Sequence, residues 1–169
     1  QLQSSAASDV YKRQVEESYG GMRGLQRFVN ACHERGIAVL LDVVYNHLGP
    51  SDLGIWRFDG WSQGDWGGIY FYNDDRGATP WGNTRPDFGR NEVREYLVES
   101  AMYFLNDMHI DGLRVDGTAW IRRTGADLGG GDVQDNPDGW SWLQYLNNSI
   151  DGQSPEKIIV AEDGYNEWA

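Results

Sequence analysis

The feature that most constrains the fold is the alternation of helix-like segments with short apolar runs. The helix-like segments have apolar residues three or four positions apart, and they cover residues 22–35, 92–108 and 140–150. The apolar runs are IAVLLDVVY at 37–45, GLRVD at 112–116 and IIVA at 158–161. The first of these runs is typical of a strand that is buried on both faces. This order of elements predicts an α/β fold with a parallel sheet.

Two architectures contain such a sheet, a doubly wound open sheet and a portion of a (β/α)8 barrel. Both bind ligands at the carboxyl ends of the strands. A doubly wound nucleotide-binding domain is the weaker alternative, because no glycine-rich phosphate loop directly follows a strand. The segment DLGGGD at 127–132 lacks the Gly-x-Gly-x-x-Gly spacing. Only a measured nucleotide affinity would favour that alternative.

Polar and ionisable residues lie at the end of each predicted strand. In chain order they are Asn46 and His47, Arg114 and Asp116, and Glu162 and Asp163. Arg114 and Asp116 belong to the same face because alternate residues of a strand share a face. A guanidinium keeps a neighbouring carboxylate ionised, whereas a carboxyl in drier surroundings can hold a proton. Glycoside hydrolysis uses two carboxyl groups of different pKa, one that is ionised and one that holds a proton.

Each of these residues also has a purely structural interpretation. An Arg–Asp pair is often only an ion pair, and a histidine at a strand end is more often a hydrogen-bonded polar residue than a catalyst. Their occurrence at three successive strand ends favours a function. Asp42 is different, since it lies within the first run and would be costly to bury unpaired. We interpret Asp42 as a structural residue that ties the strand end to the loop above.

Residues 48–90 form a segment rich in Gly, Trp and Asp that is too long for an ordinary connection. We expect a functional loop or a small subdomain. Its aromatic residues are Trp56, Phe58, Trp61, Trp66, Tyr70, Phe71, Tyr72 and Trp81. They could stack on the apolar faces of sugar rings, or they could form the core of the subdomain. We expect most to be core and two or three to line a ligand groove.

Composition excludes several classes of partner. The net charge of -12 disfavours nucleic acid, whose phosphates would be repelled. No apolar run approaches the roughly 20 residues that span a bilayer. The opening residues lack the apolar core of a signal peptide, so we expect a cytoplasmic protein without a membrane partner. The loop residues Asp127, Asp132, Asp135 and Asp138 lack the EF-hand spacing. We therefore expect them in solvated turns, with no metal or other cofactor.

Three motifs in a fixed order resemble those of the α-amylase superfamily, glycoside hydrolase family 13. They are DVVYNH at 42–47, GLRVD at 112–116 and VAED at 160–163. The resemblance covers residues 15–169. Within it, the segments SYGG and TPWGNTRPDFGR are most similar to glucan branching enzymes, and the trehalohydrolase relatives of those enzymes are the second most similar group. It implies that the motifs are about the third, fourth and fifth strands of a (β/α)8 TIM barrel, with the long irregular loop after the third.

Carried over by position, the resemblance implies a role for each residue at the strand ends. Asp116 would be the catalytic nucleophile and Glu162 the general acid/base, while Arg114 would orient and ionise Asp116. His47 would hold hydroxyl groups of the sugar that is cleaved, and Asn46 would support the loop or that sugar. The mechanism would be retaining, with hydrolysis when water is the acceptor and branching when a glucan 6-hydroxyl is the acceptor.

The sequence departs from the family pattern in two places. Residues 117–120 are Gly, Thr, Ala and Trp where many relatives have His or Lys shortly after the nucleophile. The family's fourth motif, a His–Asp pair on the seventh strand, is absent. A (β/α)8 barrel has about 250 residues, so we expect a fragment that ends after the fifth strand. Residues 1–14 are expected to be a non-native leader, which leaves 15–169 as a partial catalytic barrel with 48–90 as an insertion.

The leading hypothesis is a retaining enzyme that acts on α-glucans or maltooligosaccharides. The full-length protein would form branches, and the fragment alone would be inactive. One alternative is an α-glucan hydrolase of the amylase or malto-oligosyltrehalose trehalohydrolase type. Another, from a different class, is a non-catalytic carbohydrate-binding scaffold, against which the intact Asp116 and Glu162 argue.

Overall fold

A computed structural model of the chain describes residues 15–49, 54–125, 128 and 133–164. The helices of this part are α1 (Gly21–His33), α2 (Asn91–Asn106), α3 (Thr118–Arg122) and α4 (Pro137–Gln153), with short 3-10 turns at Glu17–Tyr19 and Asp75–Gly77. The strands are β1 (Leu40–Val44), β2 (Gly112–Asp116), β3 (Arg123–Thr124), β4 (Gln134–Asp135) and β5 (Ile158–Ala161). The predictions for residues 1–14, Asp127 and Asp132 lie outside the described residues.

The predicted helices and strands are all present. Strands β2 and β5 have the predicted bounds, whereas β1 is shorter than the apolar run at 37–45. Helix α4 is longer than predicted and begins at Pro137, because the fixed backbone angle of proline suits the first turn of a helix. Within the described ranges no helix has both the length and the apolar character needed to cross a membrane.

Strands β1, β2 and β5 form a parallel sheet with β2 in the centre, which confirms the prediction from the alternation of elements. Val44 pairs with Asp116, and Val115 pairs with Ala161, so the three strands end at nearly the same level. The residues that follow β1 and β5 therefore meet the last residue of β2 at one edge of the sheet.

One face of the sheet packs on the helices. Val43, Leu113 and Val115 are buried on this face, in one hydrophobic cluster with Leu97 of α2 and Leu146 of α4. Neighbouring residues along each strand point to the opposite face because the side-chain period of a strand is two. The helices thus hold the sheet from one side and leave the other side for the polar residues.

The opposite face is open to solvent among the residues described. Leu40 is 46% exposed, Ile158 is 52% exposed and Val160 is 44% exposed. They share this face with Asp42 and Arg114, as the strand register requires. The prediction that the first apolar run is buried on both faces is wrong for this part of the chain, because helices cover only one face of β1 there.

The segment between β1 and α2 is organised around a buried arginine. Arg85 is fully buried and donates from Nε to the Arg76 carbonyl at 2.6 Å and from Nη2 to the Ala78 carbonyl at 2.8 Å. Burial lowers the pKa of the Arg85 guanidinium to about 10, so the group remains charged at neutral pH. The backbone N–H of Leu48 donates to the Thr84 carbonyl at 3.0 Å, which ties this segment to the end of β1.

The aromatic residues of the segment range from buried to exposed, and Trp56 and Tyr70 are partly buried against the core. Phe71 and Tyr72 are buried in the same hydrophobic cluster as the sheet and helices. Phe58, Trp61 and Trp81 are 64%, 46% and 47% exposed. The buried rings fasten the segment to the main core, and the three exposed rings are accessible to a ligand.

Candidate active site

Arg114 is the centre of a polar cluster at the carboxyl end of the sheet. Its Nη1 lies 2.8 and 2.7 Å from the two carboxylate oxygens of Asp42 and 3.2 Å from Oδ1 of Asp116. Its Nη2 lies 2.6 Å from Oε1 of Glu162. Hydrogen bonding to Asp42, with the nearby negative charges, raises the pKa of Arg114. The three strands thus bring three carboxylates to one permanently charged guanidinium.

Asp42 belongs to this cluster because β1 and β2 pair in register. Asp42 and Arg114 are direct cross-strand partners, and the Asp42 side chain is 58% exposed on the open face. The expectation that Asp42 ties the strand end to the loop above is therefore wrong, since its bonds run sideways to the next strand. Its assignment as a structural residue stays a prediction.

Asn46 holds the other side of Asp116. Its Nδ2 donates to Oδ2 of Asp116 and to the Asp116 carbonyl, both at 2.9 Å, and the Asn46 side chain is fully buried. Asp116 therefore has Arg114 at one carboxylate oxygen and Asn46 at the other. The sequence led us to expect Asn46 against the loop or a sugar, whereas the structure places it directly against Asp116.

Gly117 has a local structural reason for being a glycine. It adopts a φ of +53°, which side chains rarely tolerate, and a Cβ at this position would lie 2.7 Å from Nδ2 of Asn46. A larger residue would therefore push Asn46 away from Asp116. The backbone N–H of Gly117 also donates to Oε2 of Glu162 at 3.1 Å. This departure from the family pattern thus fits the arrangement of the neighbouring side chains.

His47 contacts both the polar cluster and the first of a pair of indole rings, those of Trp81 and Trp120. Its Nδ1 forms a hydrogen bond with Oδ1 of Asn46. Its ring stacks on Trp81, with 4.6 Å between the ring centroids and 14° between the planes. Trp81 in turn meets Trp120 edge to face at 5.5 Å. The indole rings offer an apolar surface on which the C–H face of a sugar can pack.

Arg122 and Asp163 form an ion pair beside Glu162. Arg122 Nε lies 2.8 Å from Oδ2 of Asp163, and Nη2 lies 3.0 Å from Oδ1. The sequence identified Asp163 as a polar residue at a strand end, but it gave no reason to single out Arg122. Arg122 was missed because it lies on α3, which is only five residues long and too short to show a helical period.

Within the described ranges, no group of three or more His, Cys, Asp or Glu side chains is arranged to hold a metal ion. Two acidic residues from the loop considered for calcium can be located. Asp135 lies 4.0 Å from Arg123, and Asp138 lies 3.6 Å from Arg76. Both side chains are solvated as expected, since they are 89% and 45% exposed. The expectation that they lie in turns is wrong, because Asp135 belongs to β4 and Asp138 to the first turn of α4.

Comparisons with known proteins point to one family. The sequence profile described as the alpha amylase catalytic domain matches residues 7–69. A 1,4-alpha-glucan branching enzyme from Thiobacillus denitrificans is 37% identical over 157 residues, which cover 86% of this chain and 20% of that enzyme. A malto-oligosyltrehalose trehalohydrolase from Arthrobacter ramosus is 46% identical over 110 residues, which cover 64% of this chain and 17% of that protein.

The chain is similar to proteins of the α-amylase superfamily. Among solved structures, a candidate alpha amylase from Salmonella typhimurium superimposes with a TM-score of 0.61 at 23% identity, covering 83% of this chain and 20% of that one. The sequence allowed a doubly wound open sheet or a portion of a (β/α)8 barrel. The structural similarity supports the second, so the sheet is a portion of a (β/α)8 barrel. The chain spans about a fifth of the length of the curated relatives it matches.

Proposed function

We propose that the full-length protein is a retaining enzyme that acts on α-glucans. The observation that carries the proposal is the bridging of Asp116 and Glu162 by Arg114, on the open face and at the carboxyl edge of the sheet. Ligand chemistry in (β/α)8 barrels takes place at this edge. Two carboxyl groups held beside one another on neighbouring strands are the parts that a retaining glycosidase uses.

In the first step, a carboxylate oxygen of Asp116 attacks the anomeric carbon while Glu162 donates a proton to the departing glycosidic oxygen. The bond from the anomeric carbon to that oxygen breaks, and a covalent glycosyl-enzyme forms. In the second step, Glu162 takes a proton from the acceptor hydroxyl, whose oxygen displaces Asp116. The bonds from Arg114 and Asn46 keep the Asp116 carboxylate fixed for this attack.

We assign His47, Trp81 and Trp120 to sugar binding. The His47 ring is hydrogen-bonded to Asn46 and stacked on Trp81, so it has little freedom to move. Trp81 remains 47% exposed and can present an indole edge and face to a glucan chain. An enzyme that acts on a polymer needs such surfaces beyond the reacting sugar, because binding energy away from the reacting atoms helps to position it.

Branching is the outcome that we favour over hydrolysis. The similarity to the branching enzyme from Thiobacillus denitrificans covers 86% of the chain. A trehalohydrolase is the second candidate, which the higher identity of 46% over 110 residues supports. The two candidates share the nucleophile and the acid/base and differ in the acceptor, which is a glucan hydroxyl for branching and water for hydrolysis.

The acceptor can be identified by incubating the full-length protein with linear maltooligosaccharides. We expect new 1,6 linkages, counted by proton NMR, to exceed the new reducing ends, because transfer to a hydroxyl creates no reducing end. Reducing ends that rise without 1,6 linkages would contradict branching and support a hydrolase. Release of trehalose from a maltooligosyltrehalose substrate would identify the trehalohydrolase. Binding without any turnover would contradict the whole proposal and leave a carbohydrate-binding scaffold.

Residues 1–169 produced alone are expected to show no glucan turnover and little cooperative unfolding. The open face carries Leu40, Ile158 and Val160 in contact with solvent, and the outer edges of β1 and β5 have no strand partner among the described residues. Exposed apolar faces and unpaired strand edges favour association. Size-exclusion chromatography, thermal melts and a reducing-sugar assay test this expectation. A cooperative melt together with glucan cleavage would overturn it.

A further inference from the structure

We propose that Arg122 is a positioning residue for Glu162 and acts on it through Asp163. The proposal rests on the proposed function, in which Glu162 is the general acid/base. Arg122 touches neither Asp116 nor Arg114 in the hydrogen bonds and ion pairs of the described residues. Its effect on the reaction would therefore be indirect, through the path of the chain at the end of β5.

Glu162 needs such support because it lies beyond the last residue of its strand. Strand β5 ends at Ala161. Among the described residues, the ladder of the sheet holds the Glu162 backbone only through its N–H, which donates to the Val115 carbonyl at 2.9 Å. The carboxylate itself is held by Arg114 and by the Gly117 N–H. Residues after a strand end have no further ladder bonds to fix them, so other contacts must set the direction of the side chain.

Helix α3 supplies those contacts. The backbone N–H of Thr118 donates to the Glu162 carbonyl at 2.9 Å, and the Thr118 hydroxyl lies 3.0 Å from the same oxygen. One turn further along α3, Arg122 donates two hydrogen bonds to the Asp163 carboxylate. Thr118 and Arg122 therefore hold two consecutive residues of the chain, and Glu162 is the first of them.

The Arg122–Asp163 pair is well suited to fix the chain. The Arg122 side chain is only 13% exposed and that of Asp163 is 31% exposed, so water competes weakly for their bonds. The hydrogen bond to Asp163 raises the pKa of Arg122, so the guanidinium stays charged. Two-bond pairs between arginine and a carboxylate are also geometrically specific, since both groups are planar. A lysine at this position could make only a single, less directed contact.

Loss of the Arg122 contact is expected to affect proton transfer by Glu162 and not the attack by Asp116. A displacement of about 1 Å in a catalytic group can lower the rate about 100-fold. If Glu162 moves, protonation of the leaving oxygen suffers, but attack by Asp116 does not. A maltosyl fluoride separates the two effects, because the C1–F bond breaks to release fluoride, which leaves without a proton. Azide ion then displaces Asp116 from the anomeric carbon, and because azide carries no proton to remove, Glu162 is not needed in that step either.

The test compares Arg122→Met with its parent in the full-length protein on two substrates. On maltooligosaccharides we expect kcat to fall about 10- to 100-fold. On maltosyl fluoride with azide we expect fluoride release within about threefold of the parent. Arg122→Lys should recover part of the maltooligosaccharide activity because it restores the charge. Arg76→Met is the control, since Arg76 makes a more exposed two-bond pair with Asp74 away from the site, and it should behave like the parent.

Three other results are informative. Arg122→Met with parental activity on maltooligosaccharides would overturn the inference. An equal loss on both substrates would also overturn it, because that pattern indicates a general structural role. Glu162→Gln should show the same selective loss to a greater degree, and if it keeps full activity on maltooligosaccharides, the proposed function itself is wrong. If Arg122→Met does not fold, Asp163→Asn removes the same ion pair with an isosteric side chain and is subject to the same criteria.

Discussion

Asp116→Asn is expected to abolish glucan turnover in the full-length protein, with a loss on the order of 10⁴-fold or more in kcat. The amide nitrogen of asparagine is not a nucleophile, so the covalent glycosyl-enzyme cannot form. The side chain keeps its size and one oxygen that can accept a bond from Arg114. Its amide nitrogen cannot accept from Nδ2 of Asn46, so one hydrogen bond is lost and we expect the free energy of unfolding to fall by about 1–3 kcal/mol.

The measurement combines maltooligosaccharide kinetics with a thermal melt of the same preparation. Asp107→Asn is the matched control, because Asp107 is an exposed residue at the end of α2 and outside the polar cluster. The control should keep parental activity. Retention of most of the activity by Asp116→Asn would refute the assignment of Asp116 as the nucleophile. A large fall in melting temperature would instead show that the carboxylate mainly supports the fold.

Arg114→Met is expected to lower kcat by about 10²- to 10³-fold, the range typical of losing one group that stabilises charge at a reaction centre. The methionine would leave Asp42, Asp116 and Glu162 without the cation that bridges them. Three carboxylates in such a cluster repel one another, so they would move apart, and the hydrogen bonds that Arg114 donates would be lost. Both changes would disturb the nucleophile and the acid/base together.

Arg114→Lys separates charge from geometry in this cluster. Lysine restores one positive charge, but its single ammonium group cannot reach three carboxylates with the fixed fork of a guanidinium. We expect its kcat to lie between those of the parent and Arg114→Met. Steady-state kinetics on maltooligosaccharides give the comparison, and Arg76→Met again serves as the control. A kcat for Arg114→Met within about threefold of the parent would show that the bridge is not needed for the chemistry.

Much of the sheet could be predicted because its strands appear in the sequence as short apolar runs between helices. Strands β2 and β5 have the predicted bounds, and their parallel order followed from the helices between them. The meeting of Asp116 and Glu162 followed from the same reasoning, since parallel strands end at one edge. The extent of burial did not follow, because the sequence of β1 does not reveal whether one face or both faces will be covered.

The details of the cluster depend on register and on side-chain direction, which sequence patterns do not encode. The pairing of Asp42 with Arg114 requires that these two residues be directly opposite one another on β1 and β2. A shift of one residue would place Asp42 on the other face of the sheet. The contact of Asn46 with Asp116 joins residues 70 positions apart in the chain, and no local pattern predicts it.

The support for Glu162 could not be predicted because it depends on α3. A helix of five residues leaves no periodic signal, and its start depends on the positive φ of Gly117. Arg122 becomes significant only once this turn directs it toward Asp163. Arg85 is similar, since its burial among carbonyl groups is set by the path of residues 76–78 and not by its neighbours in the sequence.

The central claim is that Asp116 forms a covalent bond to the sugar, and trapping that intermediate tests it most directly. In Glu162→Gln of the full-length protein, maltosyl fluoride should load the nucleophile faster than water or an acceptor can release it, because the base for the second step is missing. Peptide mass spectrometry after acid quenching should then find a maltosyl adduct on the peptide that contains Asp116, and none in Asp116→Asn. An adduct on another residue, or fluoride release with no adduct at all, would contradict the account.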